Sequence, residues 1–260
     1  MKKATILLLS LAFTVFSLSA QNLYVHESNG NVVEIPLSQI DSITFTNGGG
    51  TGFECGSSTV NDIDGNSYST VLIGSQCWLG SNLKTTKYND GSDIPLITDA
   101  SVWDTLMMPG FAWYDNNQSN KVPYGGLYNW YSIDNASNEG KNVCPVGWHV
   151  PTDTEWTILT DFLGGNSAAG GKLKEAGTTH WNAPNSGATN ETGFTALPGG
   201  YREISGGFTS KGNFGRWWSL DAHPSYGSSA YFRGMSYNSN SVMSHFLVKK
   251  HGFSVRCLKD

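Results

Sequence analysis

Between positions 144 and 159 the chain reads CPVGWHVPTDTEWTIL, a run that holds one thiol, one imidazole, two indoles and two carboxylates. Such density would suit an active centre as readily as a corner where a fold is pinned. The wider inventory favours the corner. None of the four cysteines stands in a CxxC or Cys/His spacing that builds zinc sites. The six histidines, His26, His149, His180, His223, His245 and His251, are scattered without ligand spacing. Beside Trp148 and Pro151, His149 reads as a packed ring and not as a base. There is no Gly-x-Ser-x-Gly elbow, no His-Glu-x-x-His and no phosphate-cradling glycine loop. Asp90, Asp93, Asp99, Asp104 and Asp115 lie in loop-like sequence, where acids usually form turns. A glycosidase needs two carboxyls flanking one bond, and spacing does not say which of these converge. The stretch DIDGN at 62–66 begins like a calcium loop, but the twelfth position, where a bidentate Glu belongs, is Ile73. A turn between two strands is the better reading.

The elements that would position these groups are partly legible. Val150 precedes Pro151 and is held extended. Thr152 and Glu155 form a capping box, and Asp153 puts a carboxylate at the positive end of the helix dipole. Pro151 and Trp156 occupy hydrophobic-staple positions. Trp156, Leu159 and Leu163 then fall on one helical face, and Gly164-Gly165 stops the helix. A first helix is predicted over LYNWYSI, 127–133. Strands are predicted at Ser67–Ile73, with apolar residues on both faces and hence buried on both sides, and at GFSVRC near the end. The latter puts Phe253, Val255 and Cys257 inward, with Ser254 and Arg256 opposite.

Composition bounds the class. Only 14% of the 260 residues are charged and the net charge is −5, with no basic stripe, so nucleic acid is not an expected partner. Lys2 and Lys3, the apolar run Ile6–Phe16 and the small residues Ser17, Ser19 and Ala20 predict a secretory signal peptide over 1–20. No later segment reaches the roughly 18 apolar residues of a membrane span. An exported protein meets an oxidising milieu, where Cys55, Cys77, Cys144 and Cys257 would pair in one of three connectivities. Residues 21–46 predict a small β-module with a hairpin at Asn29-Gly30 and a third strand over Ser42–Thr46. The glycine-rich stretch 47–54 reads as a linker, and 55–260 as one domain.

Five motifs carry a resemblance: VNDIDGNSYSTVLIGSQCWLGSNLKTTKYNDGSDIP, YGGLYNWYSI, CPVGWHVPTDTEWTIL, GFTALPGGYRE and GFSVRCLKD. In this order they resemble the Fibrobacter succinogenes major paralogous domain over residues 55–260. More distantly, HVPTDTEW, ALPGGYR and GFSVRC resemble the formylglycine-generating enzyme group, a variant of the C-type lectin fold. That resemblance implies an α+β, C-type lectin-like domain with irregular antiparallel sheets, two main helices, and its first and last strands as neighbours. It also implies bridges Cys144–Cys257 and Cys55–Cys77.

Catalysis in the oxidase group needs a copper-holding cysteine pair after the R-G-G-S-W-like stretch, yet residues 201–237 contain no cysteine. Serine or tyrosine cannot replace a thiolate. No cofactor is therefore expected and no metal ligands are assigned. Structural calcium, as in lectin-like relatives, has no located site, and the sugar motif of calcium-dependent lectins is replaced by APN at 183–185. The ligand-binding candidates are Tyr201, Arg202, Arg216, Trp217, Trp218, Tyr231 and Arg233, aromatic and arginine side chains suited to sugar faces or protein hot spots. Adjacent indoles on a strand point oppositely, so at least one of Trp217 and Trp218 is expected in the core. The expected function is a non-catalytic, exported envelope or surface module binding glycan or protein. The alternatives are a hydrolase using loop carboxylates and a purely structural envelope component.

Overall fold

The computed structural model describes residues 22–26, 31–36 and 52–260. The expected signal peptide, the expected turn at Asn29-Gly30, the strand expected at 42–46 and most of the expected linker lie outside the described residues. The chain divides into two units, Met1–Gly52 and Phe53–Asp260. In the first, β1 (Asn22–His26) pairs antiparallel with β2 (Val32–Pro36), His26 facing Val32.

The second unit is α+β. One antiparallel sheet contains β3 (Thr59–Asn61), β4 (Ser67–Ile73), β5 (Gln76–Leu79), β14 (Leu258–Lys259) and β8 (Trp148–His149), in that order. A second runs β10 (Phe208–Lys211), β9 (Gly199–Arg202), β11 (Phe214–Ala222), β12 (Ser229–Ser236) and β13 (Met243–Val248). Its pairs are antiparallel except β9 with β11, which meet in parallel at Gly200 and Gly215. A short pair, β6 (Phe111–Ala112) and β7 (Leu127–Tyr128), and helices α1 (Ala100–Thr105), α2 (Lys121–Tyr124), α3 (Asp153–Phe162) and α4 (Asn166–Leu173) complete it.

The start of α3 follows its sequence. The Thr152 hydroxyl accepts from the Glu155 backbone N–H, and the Glu155 carboxylate accepts in return from Thr152. Trp156, Leu159 and Leu163 are buried in one core with Trp78, Phe194 and Trp217. Gly164 and Gly165 both take left-handed φ, so α3 cannot continue through them. The immediately following α4 was not legible, because its small residues Ala168, Ala169, Gly170 and Gly171 give no apolar stripe.

Three expectations are corrected. Residues 127–133 form a two-residue strand and a single 3-10 turn at Trp130–Ser132, not a helix. The helical spacing of their apolar side chains is overridden because Tyr128 exchanges both backbone hydrogen bonds with Phe253. Strand β4 is buried only in part on each face: Tyr68 and Thr70 on one and Ile73 on the other are buried, Tyr68 and Ile73 in separate cores, but Leu72 is 58% exposed beside the β4–β5 turn.

Finally, GFSVRC is not a half-buried strand. Residues 252–257 are buried throughout and thread between the sheets, bridged to Arg202, Tyr128 and Trp217 on one side. On the other side Cys257 and Val255 accept from the backbone N–H groups of Leu79 and Leu83. The disulfides are Cys55–Cys77 and Cys144–Cys257. With the latter, β14 lies between β5 and the Trp148-bearing strand β8.

Candidate functional site

The seven candidates fall into two groups. Trp217 and Trp218 point to opposite faces of β11, and both faces are covered. The Trp217 indole N–H donates to Asn82 Oδ1 at 2.8 Å, and that of Trp218 to the Tyr128 carbonyl at 2.8 Å. Neither ring is exposed, so both belong to the core and not only one. The buried guanidinium of Arg202 lies 4.2 Å over Trp103 and donates to Gly206 O at 2.9 Å and to Ile97 O. Burial draws it down to about 10 against the opposing pull of Asp99. Arg233 is also buried and clamps β12 to the first turn of α3. It pairs with the Asp153 carboxylate and donates to Asp153 O and Thr157 Oγ1, both at 3.0 Å. These four side chains are internal struts and offer a ligand nothing. The sequence misread them because aromatic and arginine residues suit an interface and a clamped core equally well.

Arg216, Tyr201 and Tyr231 are half-buried. The Arg216 guanidinium lies 3.8 Å from the Tyr201 ring centroid, and burial lowers its pKa against the pull of Tyr201 and Glu203. Tyr231 stands elsewhere, opposite Phe246 in the β12–β13 register, their rings 6.2 Å apart and edge-on. His223, just past β11, comes within 4.0 Å of Phe246, 5.2 Å of Tyr231 and 4.8 Å of Tyr226. Tyr226 stacks on Phe246 at 5.4 Å and is 57% exposed. The connection from β11 to β12, with Tyr231 of β12 and Phe246 of β13, therefore forms a continuous group of four aromatic rings, extended by exposed His245 at 5.0 Å from Phe246.

The loop that carries His223 and Tyr226 is fixed. His223 Nδ1 accepts the backbone N–H groups of Ser225 and Tyr226, both at 3.2 Å, so the neutral ring carries its proton on Nε2. The N–H of Ser229 returns to Tyr226 O, and that of His223 to Ser229 O. Of these residues the sequence singled out only Tyr231. The signal for the rest was the aromatic pair flanking Pro224-Ser225 and the alternation of MSHFLV in β13.

A family model, the Fibrobacter succinogenes major domain, matches residues 71–259. The chain belongs to that family. No curated protein and no solved structure matches it. All four cysteines, three of them within the matched Fibrobacter succinogenes major domain, are in disulfides. Among the described residues no group of three or more His, Cys, Asp or Glu side chains is arranged to hold a metal ion. His149 lies in the domain between two carboxylates, Asp260 at 2.6 Å and Glu155 at 3.0 Å. Burial pushes the Glu155 carboxyl up, but hydrogen bonds from Thr152 and His149 outweigh it and leave its pKa below the ordinary value. These two hydrogen bonds tie His149 of β8 to α3 and to the residue that follows β14.

Proposed function

We propose that the protein is an exported, non-catalytic module of the cell envelope or surface that binds glycan or protein through the rings of His223, Tyr226, Tyr231 and Phe246. The observation that carries the reading is exposed Tyr226, on a loop tied by its own hydrogen bonds, stacked against half-buried Phe246 of β13. Rigid aromatic surface with polar tips suits the C–H faces of sugars and the centres of protein interfaces. Two disulfides fit an oxidising compartment, and among the described residues no helix is long and apolar enough to cross a membrane. A C-type lectin-like assignment belongs to the same proposal. It is supported by the closing strand lying beside an early one and by the bridge from Cys144, near the tryptophan-bearing helix, to Cys257.

The alternative of a hydrolase using loop carboxylates draws on Asp93 and Glu139, which line one cleft. Both are more than 80% exposed and each faces a lysine. A general acid needs burial to hold its proton near neutral pH. A glycan array run with and without calcium tests the proposal. Tyr226→Ala is expected to weaken binding at least tenfold with an unchanged circular-dichroism spectrum. Undiminished binding by that variant would overturn the assignment of the surface. Glycan cleavage abolished by one Asp-to-Asn change would overturn the non-catalytic reading.

A further inference from the structure

The aromatic surface has an imidazole at its centre, and one limb of its loop hangs on that ring. His223 is half-buried, while residues 224–228 are exposed. Pro224 has no backbone N–H, and the next two N–H groups, of Ser225 and Tyr226, both donate to His223 Nδ1 at 3.2 Å. The other limb is tied backbone to backbone, by the N–H groups of Ser229, His223 and Lys249 to the carbonyls of Tyr226, Ser229 and Ser228. Because Nε2 already carries the hydrogen of the neutral ring, a further proton must enter at Nδ1, and an imidazolium has no acceptor left. Protonation therefore removes both bonds and turns one N–H towards two others. An imidazolium gains some attraction from Phe246, Tyr226 and Tyr231, whose ring planes are inclined to it at 36 to 49°. In a half-exposed position that attraction is worth less than two hydrogen bonds.

Neighbouring charges do not offset the loss. Among the described residues His149 and His180 stand within ion-pair distance of carboxylates, whereas His223 does not. On β11, Asp221 turns its carboxylate to the Asp153 N–H and the Ser219 hydroxyl. Just past β13, the Lys249 ammonium lies over Trp130 at 4.2 Å. Tyr226 and Tyr231 bring phenols, whose ionisation belongs to alkaline pH. His245 on β13 is a second imidazole, stacked on Phe246. Its Nδ1 donates to Phe246 O at 2.8 Å, so its added proton enters at Nε2 and breaks nothing.

We infer that His223 is a proton-sensitive latch for this surface: a proton on Nδ1 releases the limb 224–226 and unseats the Tyr226 ring from Phe246. The release needs no ligand. Its consequence, weaker binding in acid, rests on the function proposed above.

The test is amide-resolved NMR of the full chain between pH 7.5 and 4.5, an interval in which histidines change charge. As His223 Nδ1 gains its proton, read from the ring nitrogen shifts, exchange protection of the Ser225 and Tyr226 amides should fall about tenfold or more in a one-proton curve. His223→Asn supplies a side-chain oxygen that accepts from the same N–H groups and does not titrate, so both amides should stay protected throughout. His223→Phe keeps a ring without an acceptor and should leave them unprotected throughout, and His245→Gln should keep the wild-type response. The inference is overturned if both amides retain protection at pH 4.5, if they lose it out of step with Nδ1, or if the response persists in His223→Asn or vanishes in His245→Gln. Should the asparagine loop be open already at pH 7.5, the wild-type Nδ1 titration decides alone. A glycan array at the two pH values separates the latch from the binding surface. A blank array with responding amides removes the glycan and leaves the latch; binding undiminished in acid while the loop is open removes the aromatic surface as the site.

Discussion

Lys174, Arg202 and Arg256 carry charge into the interior and are hydrogen-bonded there to neutral oxygens. Lys174 Nζ donates to the carbonyls of Ser186, Ser236 and Ser239 at 2.7 to 3.0 Å, gathering the loop at 186 and the turn that leaves β12 at one point. Arg256 does the same for Leu79 O, Phe194 O and Asn82 Oδ1, the last shared with the Trp217 indole. Burial lowers the Lys174 pKa from 10.5 to about 8. Between those values the unfolded chain keeps the proton while the folded one loses it. Stability contributed by this site therefore rises as pH goes from 8 towards 10 and is flat below 8. Buried phenols such as Tyr68 and Tyr128, whose pKa values are raised, reverse the trend above their ordinary value of 10. Unfolding free energies of wild type and Lys174→Met from urea titrations should diverge by about 1 kcal/mol or more across pH 8–10, and parallel curves would contradict the assignment. Sequence could not show this site, because alternation in GFSVRC placed Arg256 opposite the core. The carbonyls that bury it arrive from positions 79 and 194.

Strong local signals survive at the level of elements. The capping box lies within four residues, so Thr152 and Glu155 meet in any fold that contains the helix. Thr152→Ala should cost about 1 kcal/mol near neutral pH, read from a denaturant titration. The Glu155 carboxyl is held below its ordinary 4.5, so its contribution is present above that value and lost as pH falls through the folded one. The penalty of Thr152→Ala should shrink over that acidic window. Where an element's partner is distant, the local reading fails. Leu127, Tyr128 and Trp130 were spaced for a helix, yet Phe253 claims the Tyr128 backbone. The aromatic surface has the same difficulty, because Tyr231 and Phe246 meet only through the β12–β13 register.

Across the whole molecule, the cysteine pairing came from family resemblance, since four cysteines alone leave three connectivities open. The bridges close loops of unequal length, spanning 22 and 113 positions. In the chain-entropy model, replacing Cys144 and Cys257 with alanine should cost about 5 kcal/mol, and replacing Cys55 and Cys77 about 3 kcal/mol. Guanidinium unfolding of the two double variants checks the order, and a larger loss for the shorter loop would contradict it.

Residues 252–257, threaded between the two sheets, are also among the last parts of this domain to be translated. Until they emerge, the nascent chain has no strut between its halves, and the thiol at position 144 has no native mate. Oxidation can then close the 55–77 ring early, while the long ring must wait. Premature pairing of Cys144 with an upstream thiol is the mistake to which this order of manufacture exposes the chain.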